Sequence, residues 1–354
     1  MYNGKVDKET KKDEEDHLNL STKFILNALK KSLIIILFIA CAQLTWAQDA
    51  QFSQFYSAPL YLGPSFAGAV DGSRVCANYR KQWVGFGSPF QAYSVSYDHY
   101  FSSFNSGLGV FMLSDVAGSA ELGTKTLSVQ YSYNITLFNI WHLRPGLSFA
   151  YVEHGLHGEL LSFSILQRRY TPSTSAGTDL APDLRTSKDI DAGVSLLIYS
   201  HDVWLGATVD HLLQPDVTLH NVSASIPLKT QVYGGWTFRK KGKLLKPSED
   251  AMTVGFIYKN QGNIEQLDIG TYWSNDPLVL GIWYRGIPVL NSDWGDAVVF
   301  LAGIKTRNFN IGYSYDFTIS RLLLHSRGSH EISLAYKFLL PKRKRKDAVP
   351  CPEF

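Results

Sequence analysis

The sequence predicts an all-β protein, a transmembrane antiparallel outer-membrane β-barrel of about 14 strands. Three observations carry that expectation. Apolar and polar residues alternate with period two over repeated runs. The apolar members of those runs are rich in tyrosine, which suits a membrane–water interface where a ring sits half wet. An export signal precedes them all: Lys30 and Lys31, ten apolar residues from Leu33 to Ala42, and small residues at positions −3 and −1 of a cut after Ala47. Ten apolar residues are too few to span a bilayer as a helix.

In chain order, residues 1–47 are the predicted signal peptide, with an unusually long hydrophilic n-region from Met1 to Asn19. A competing reading takes FIAC, Phe38 to Cys41, as a lipoprotein cleavage box, for which Phe38 is a poor fit. Residues 48–73 form an aromatic segment that is neither a good helix nor a central strand, because Pro59 and Pro64 interrupt it. Residues 74–339 are the barrel, and residues 340–354 a tail with five consecutive cations, Lys342 to Lys346. A charge run is most often a solvated face; here it could also meet an acidic partner or anionic lipid.

The strands are legible from their faces. In Thr126–Ile135, Leu127, Val129, Tyr131, Tyr133 and Ile135 oppose Thr126, Ser128, Gln130, Ser132 and Asn134. Tyr93, Val95 and Tyr97 oppose Ser94, Ser96 and Asp98; Phe309, Ile311, Tyr313, Tyr315 and Phe317 oppose Asn310, Gly312, Ser314 and Asp316. A soluble sandwich also alternates. The tyrosines, the small residues of the polar face, and runs near the 9–11 residues of a tilted membrane strand favour the barrel. So does a final strand that ends on an aromatic, Phe338. Strands are expected near 74–83, 91–101, 106–114, 124–136, 143–154, 189–200, 202–211, 229–238, 251–260, 263–273, 278–285, 296–305, 308–318 and 329–339. An even number lets both termini face the periplasm, and the long Gly155–Lys188 connection then lies outside.

Chemistry is sparse. The net charge of +3 gives no reason to expect nucleic acid. No HExxH and no GxSxG are present, so neither a metal, a cofactor nor an enzyme is expected. Cys76 and Cys351 are far apart and read as free thiols. The lumen face reads as mostly Ser, Thr, Asn and Gly, and strand glycines such as Gly107 and Gly109 as relief of crowding.

The stretch QDAQFSQFYSAPLYLGPSFAG, Gln48 to Gly68, with RVCANYRKQW, Arg74 to Trp83, and SVSYDHYF, Ser94 to Phe101, resembles the PorP/SprF family. DIDAGVSLLIYSHDVWLGATVDHLLQP, Asp189 to Pro215, continues the likeness, so it covers most of the mature chain. Ala58 and Gly63 stand where the family pattern has Asn. The resemblance implies an integral outer-membrane barrel accessory to type IX secretion and gliding. Implied partners are components of that machinery and a large secreted surface adhesin with a C-terminal sorting domain, alongside outer-membrane lipid. A passive porin or solute transporter is the alternative. The resemblance marks Gln51, Phe52, Ser53, Gln54, Phe55, Tyr56, Pro59, Pro64 and Phe66 as a lumen plug or partner-docking element. Its strand motif falls on Asn78, Tyr79, Arg80, Trp83, Tyr97, Asp98, His211 and Pro215.

Overall fold

The computed structural model describes residues 49–118, 122–138, 140–156, 186–218, 224–240, 250–287, 295–320 and 326–339. The predicted signal peptide, the basic tail and most of the Gly155–Lys188 connection lie outside the described residues. Three short helical turns, Phe55–Ser57, Pro59–Leu62 and Pro64–Phe66, precede the sheet. The sheet consists of β1 (Gly72–Gln82), β2 (Phe90–Phe101), β3 (Ser106–Ala117), β4 (Leu122–Tyr133), β5 (Ile135–Leu137), β6 (Trp141–Leu156), β7 (Thr186–Tyr199) and β8 (Val203–Asp210). It continues with β9 (Lys229–Arg239), β10 (Ala251–Gln261), β11 (Ile264–Asn275), β12 (Leu278–Ile287), β13 (Ala297–Lys305), β14 (Phe309–Thr318) and β15 (Ser329–Leu339).

Each strand pairs antiparallel with its neighbours, and β1 pairs with β15 from Gly72↔Leu339 to Gln82↔Ser329, which closes the barrel. Closure leaves no open edge to face lipid. β5 continues β4 on the same partner, so the barrel has fourteen walls. The expected 124–136 strand is therefore split at Asn134. Ser132 pairs with Gly146 and Ile135 with Leu143, so the break falls opposite the Arg144–Pro145 step, where proline has no N–H to give the ladder.

The alternation holds in space. Tyr93, Val95, Tyr97, Val129, Tyr131, Phe300, Tyr313 and Phe338 are exposed on the outside, while Ser94, Ser96, Asp98, Ser128, Gln130, Ser132 and Ser314 are buried inside. The exposed apolar belt is what a bilayer would cover.

Strand direction also defines two rims. Gly72 and Leu339 share one, here termed the terminal rim. Its connections are mostly tight: 102–105, 138–140, 200–202, 276–277 and 306–308, with 240–250 longer. The opposite rim carries the longer connections 83–89, 157–185, 211–228, 288–296 and 319–328, and is termed the loop rim.

Candidate functional site

The lumen is filled by the first described segment of the chain, residues 49–70. Every residue from Phe52 to Leu60 and from Leu62 to Val70 is buried. The segment runs lengthwise, from Asp49 at the loop rim to Gly68 at the terminal rim, and is held differently at each level.

At the loop rim, the Asp49 carboxylate sits 2.9 Å from His211 Nε2 and 3.0 Å from Lys229 Nζ. Gln261 closes the clamp: its Nε2 donates to Asp49 Oδ1 at 3.2 Å, and its Oε1 accepts from the Asp49 N–H at 3.3 Å. His211 follows β8, Lys229 opens β9 and Gln261 ends β10, all at the loop rim. The other imidazole nitrogen, Nδ1, is 2.7 Å from Asp191. Burial alone would discharge the ring, but Asp49 and Asp191 outweigh it and push the His211 pKa up to about 10. The Asp49 carboxyl is held well below its ordinary value: burial opposes ionisation, and Lys229 and His211 overcome that.

Below the clamp lies a charged collar. Arg80 pairs with Asp316 at 2.7 Å and Glu331 at 3.1 Å, and Arg285 pairs with Asp316 at 3.0 Å. All four are buried, from β1, β12, β14 and β15. The segment enters this collar as donor and acceptor. Ser53 N–H and Gln54 N–H donate to the Glu331 carboxylate at 2.6 and 3.0 Å. The Ser53 hydroxyl donates to Asp316 at 2.7 Å and accepts from Arg80 and Arg285. The Gln54 amide donates to Ser314 and to the Glu331 carbonyl, and accepts from Ser333. Buried charges are tolerated only when paired and hydrogen-bonded in this way.

The middle is aromatic. Phe55 meets Trp283 edge-on with ring centroids 4.9 Å apart, and Tyr56 packs against Trp204, Tyr272 and Trp283. Phe66 packs on Tyr233 at 5.7 Å. With Leu60, Leu62, Leu197, Ile257 and Val299 these rings make one apolar core across the lumen.

Toward the terminal rim, the pattern inverts and lumen side chains donate to the segment's carbonyls. Gln130 Nε2 donates to Leu60 O at 2.8 Å, Thr208 Oγ1 to Leu62 O at 2.9 Å, and Ser132 Oγ to Ala67 O at 2.7 Å. Arg144 donates to the Ser65 and Ala67 carbonyls. Arg74 pairs with Asp98 at 3.0 Å, and Asp98 accepts the Gly68 N–H at 2.8 Å. A buried non-regular segment must place its backbone groups somewhere, and these side chains take them. Two strand glycines make room. A Cβ at Gly107 would lie 2.0 Å from Ala67 O, and one at Gly146 would lie 2.3 Å from Ser65 N.

The predicted site residues therefore divide. Phe52, Ser53, Gln54, Phe55, Tyr56, Pro59, Pro64 and Phe66 are in the lumen, and half-buried Gln51 lines a small pocket with Asp49, Tyr61 and Lys229 at the loop rim. Asn78, Arg80 and Asp98 point inward and His211 joins the Asp49 clamp. Tyr79 and Tyr97 point outward with the lipid-facing set, where they stack on Tyr93 and donate to Ser73 respectively. Trp83 packs at the loop rim on Phe86 and Phe90, and the Pro215 carbonyl accepts from Ile226 in the 211–228 connection.

The expected lumen of Ser, Thr, Asn and Gly is corrected on two counts. Arg74, Arg144, Arg285, Asp316 and Glu331 make it charged, and Trp204, Tyr233, Tyr272 and Trp283 make it aromatic. The available signal was a charge on the polar face of an alternating strand, as at Asp316 and Glu331. The inward aromatics gave none, since an aromatic in these strands reads as outward. Gly72 and Leu339 share one rim, and Asp49 lies at the other. Cys76 is buried in β1, and Cys351 lies outside the described residues. Among the described residues no cluster of three or more His, Cys, Asp or Glu could hold a metal ion.

The profile of a family described as type IX secretion system membrane protein PorP/SprF matches residues 45–336. No curated protein matches the chain. Solved structures with a similar outline include Omp33 of Acinetobacter baumannii, at 8% identity and TM-score 0.44, covering 77% of this chain and all of that one. The monoaromatic hydrocarbon channel CymD matches at 12% identity and TM-score 0.44, over 80% of this chain and 93% of its own. The toluene transporter TodX of P. putida matches at 10% and 0.42, over 78% and 92%. Scores this low carry no functional weight.

Proposed function

The chain belongs to the PorP/SprF family of type IX secretion system membrane proteins, and from that membership we propose that it is a closed accessory barrel. In this reading it supports export or surface anchoring of a cognate cell-surface protein and does no chemistry of its own. The observation that carries the reading is the filled lumen. A passive pore needs a continuous water path, whereas here Phe55, Tyr56, Phe66, Trp204 and Trp283 pack across the middle. On that ground the accessory reading is preferred to the porin alternative. The opposed charges that a pore would show to solvent are engaged by Ser53 and Gln54 instead.

Deleting residues 50–66, with the export signal intact, tests the proposal. In planar bilayers the wild-type barrel should carry no steady ion current, and the deleted one should. If the segment docks a partner, the deleted barrel should reach the outer membrane normally while surface display of the partner collapses. If the segment only stabilises, barrel level and display should fall together. A wild-type barrel as conductive as the deleted one would restore the porin reading. Normal level together with normal display would leave the segment without either role.

A further inference from the structure

The two ends of the described chain leave the barrel at opposite rims. Leu339 pairs with Gly72, the first residue of β1. Asp49 is clamped by His211, Lys229 and Gln261, which lie at the far ends of β8, β9 and β10. Strand parity makes this independent of tilt or shear: β1 and β8 run in the same sense, and His211 follows the last residue of β8. The contacts between these points keep that order along the lumen, from Ser53 at the collar to Ala67 at Ser132 and Gly68 at Asp98, the last two near the terminal-rim ends of β4 and β2. The segment thus crosses the lumen once, with Asp49, the first described residue, at the loop rim.

Outer-membrane barrels have short periplasmic turns and longer external connections. The loop rim, with connections 157–185 and 211–228, is external by that rule; the terminal rim, whose turns are two to four residues long except for 240–250, is periplasmic. We propose that the mature protein begins on the cell surface: its first residues pass outward through the lumen and form part of the external face, while the C-terminal tail stays in the periplasm. The rim is built to hold that end. Asp49 has four polar contacts there, with its backbone N–H and both carboxylate oxygens engaged. Any partner that docks on the outer face therefore meets the start of the chain beside the 211–228 connection.

Cysteine labelling with a membrane-impermeant maleimide decides this without knowledge of any partner. The Q48C/C351S protein should label in intact cells. The native thiol of Cys351 should label only after the outer membrane is permeabilised, and Cys76, buried in β1, should stay silent until the barrel is denatured. Should Q48C impair export, an epitope inserted between Gln48 and Asp49 gives the same readout by antibody binding to intact cells, with heat-modifiability on gels reporting a folded barrel. Labelling of Q48C only after permeabilisation, or only after denaturation, overturns the proposal, as does labelling of Cys351 in intact cells.

Discussion

The collar around Ser53 and the cradle around Leu60–Gly68 hold the same segment by opposite logic. At the collar, two backbone N–H groups and a hydroxyl meet carboxylates that are themselves shared by two arginines, all out of water. In the cradle, backbone carbonyls receive hydrogen bonds from Gln130, Thr208, Ser132 and Arg144, with the Ala67 carbonyl shared by Ser132 and Arg144. The difference teaches where the segment is irreplaceable. A desolvated charge network is costly to leave incomplete, while a neutral hydrogen bond is worth roughly 0.5–1.5 kcal/mol net.

Breaking the collar should have the largest effect. Arg80→Met leaves Glu331 without its cation and should cost about 3–5 kcal/mol, read as a lower urea midpoint of the detergent-solubilised barrel. The double variant R80M/E331M should cost less than the sum of the single changes, because it removes both orphans together. A strictly additive pair would mean the collar is not a coupled unit.

The two faces of β4 give the next test. Leu127→Arg, outward and midway along β4, should cost ~2–4 kcal/mol, whereas Tyr131→Arg, close to the terminal rim, should cost only ~0–1 kcal/mol. Its inward neighbour offers no wet refuge: Ser132 is fully buried between Arg144 and Ala67 O, so Ser132→Leu should cost about 1–3 kcal/mol through overpacking. Tolerance of leucine at 132 would show that the lumen there is looser than the hydrogen bonds require.

In the cradle, Gln130→Ala removes the donor to Leu60 O and should cost about 0.5–1.5 kcal/mol. A loss as large as that of Arg80→Met would erase the distinction between the two levels.

The clamp adds a pH signature. Because the folded-state pKa of His211 is raised to about 10 from an ordinary 6.5, its contribution is complete below pH 6.5 and declines as pH rises toward 10. The stability difference between wild type and His211→Gln should therefore be level below pH 6.5 and shrink steadily above it. A difference that widens with pH would contradict a charged imidazole between Asp49 and Asp191.

The barrel was legible because period two is a property of the backbone: every expected strand is present, to within a few residues. The segment's burial was legible too, since Phe52, Phe55 and Phe66 have too much apolar area to leave in water. Its direction was not. Nothing local in Gln48–Gly68 says which rim comes first; that follows from pairings such as Asp49 with His211, 162 residues away. The inward rings were equally hidden, because Trp204 and Tyr233 are made interior by what fills the lumen, not by their strands. Pro145 shows the reverse case, a residue whose effect on the neighbouring strand was readable in principle from its missing N–H.

The collar also sits on the joint where the sheet becomes a cylinder. Arg80 belongs to the first strand and Glu331 to the last, and Ser53 touches groups from both. In a half-joined sheet those groups would be apart, each dehydrated without its counter-ion. The joint and the threaded segment thus template one another across 278 residues of sequence.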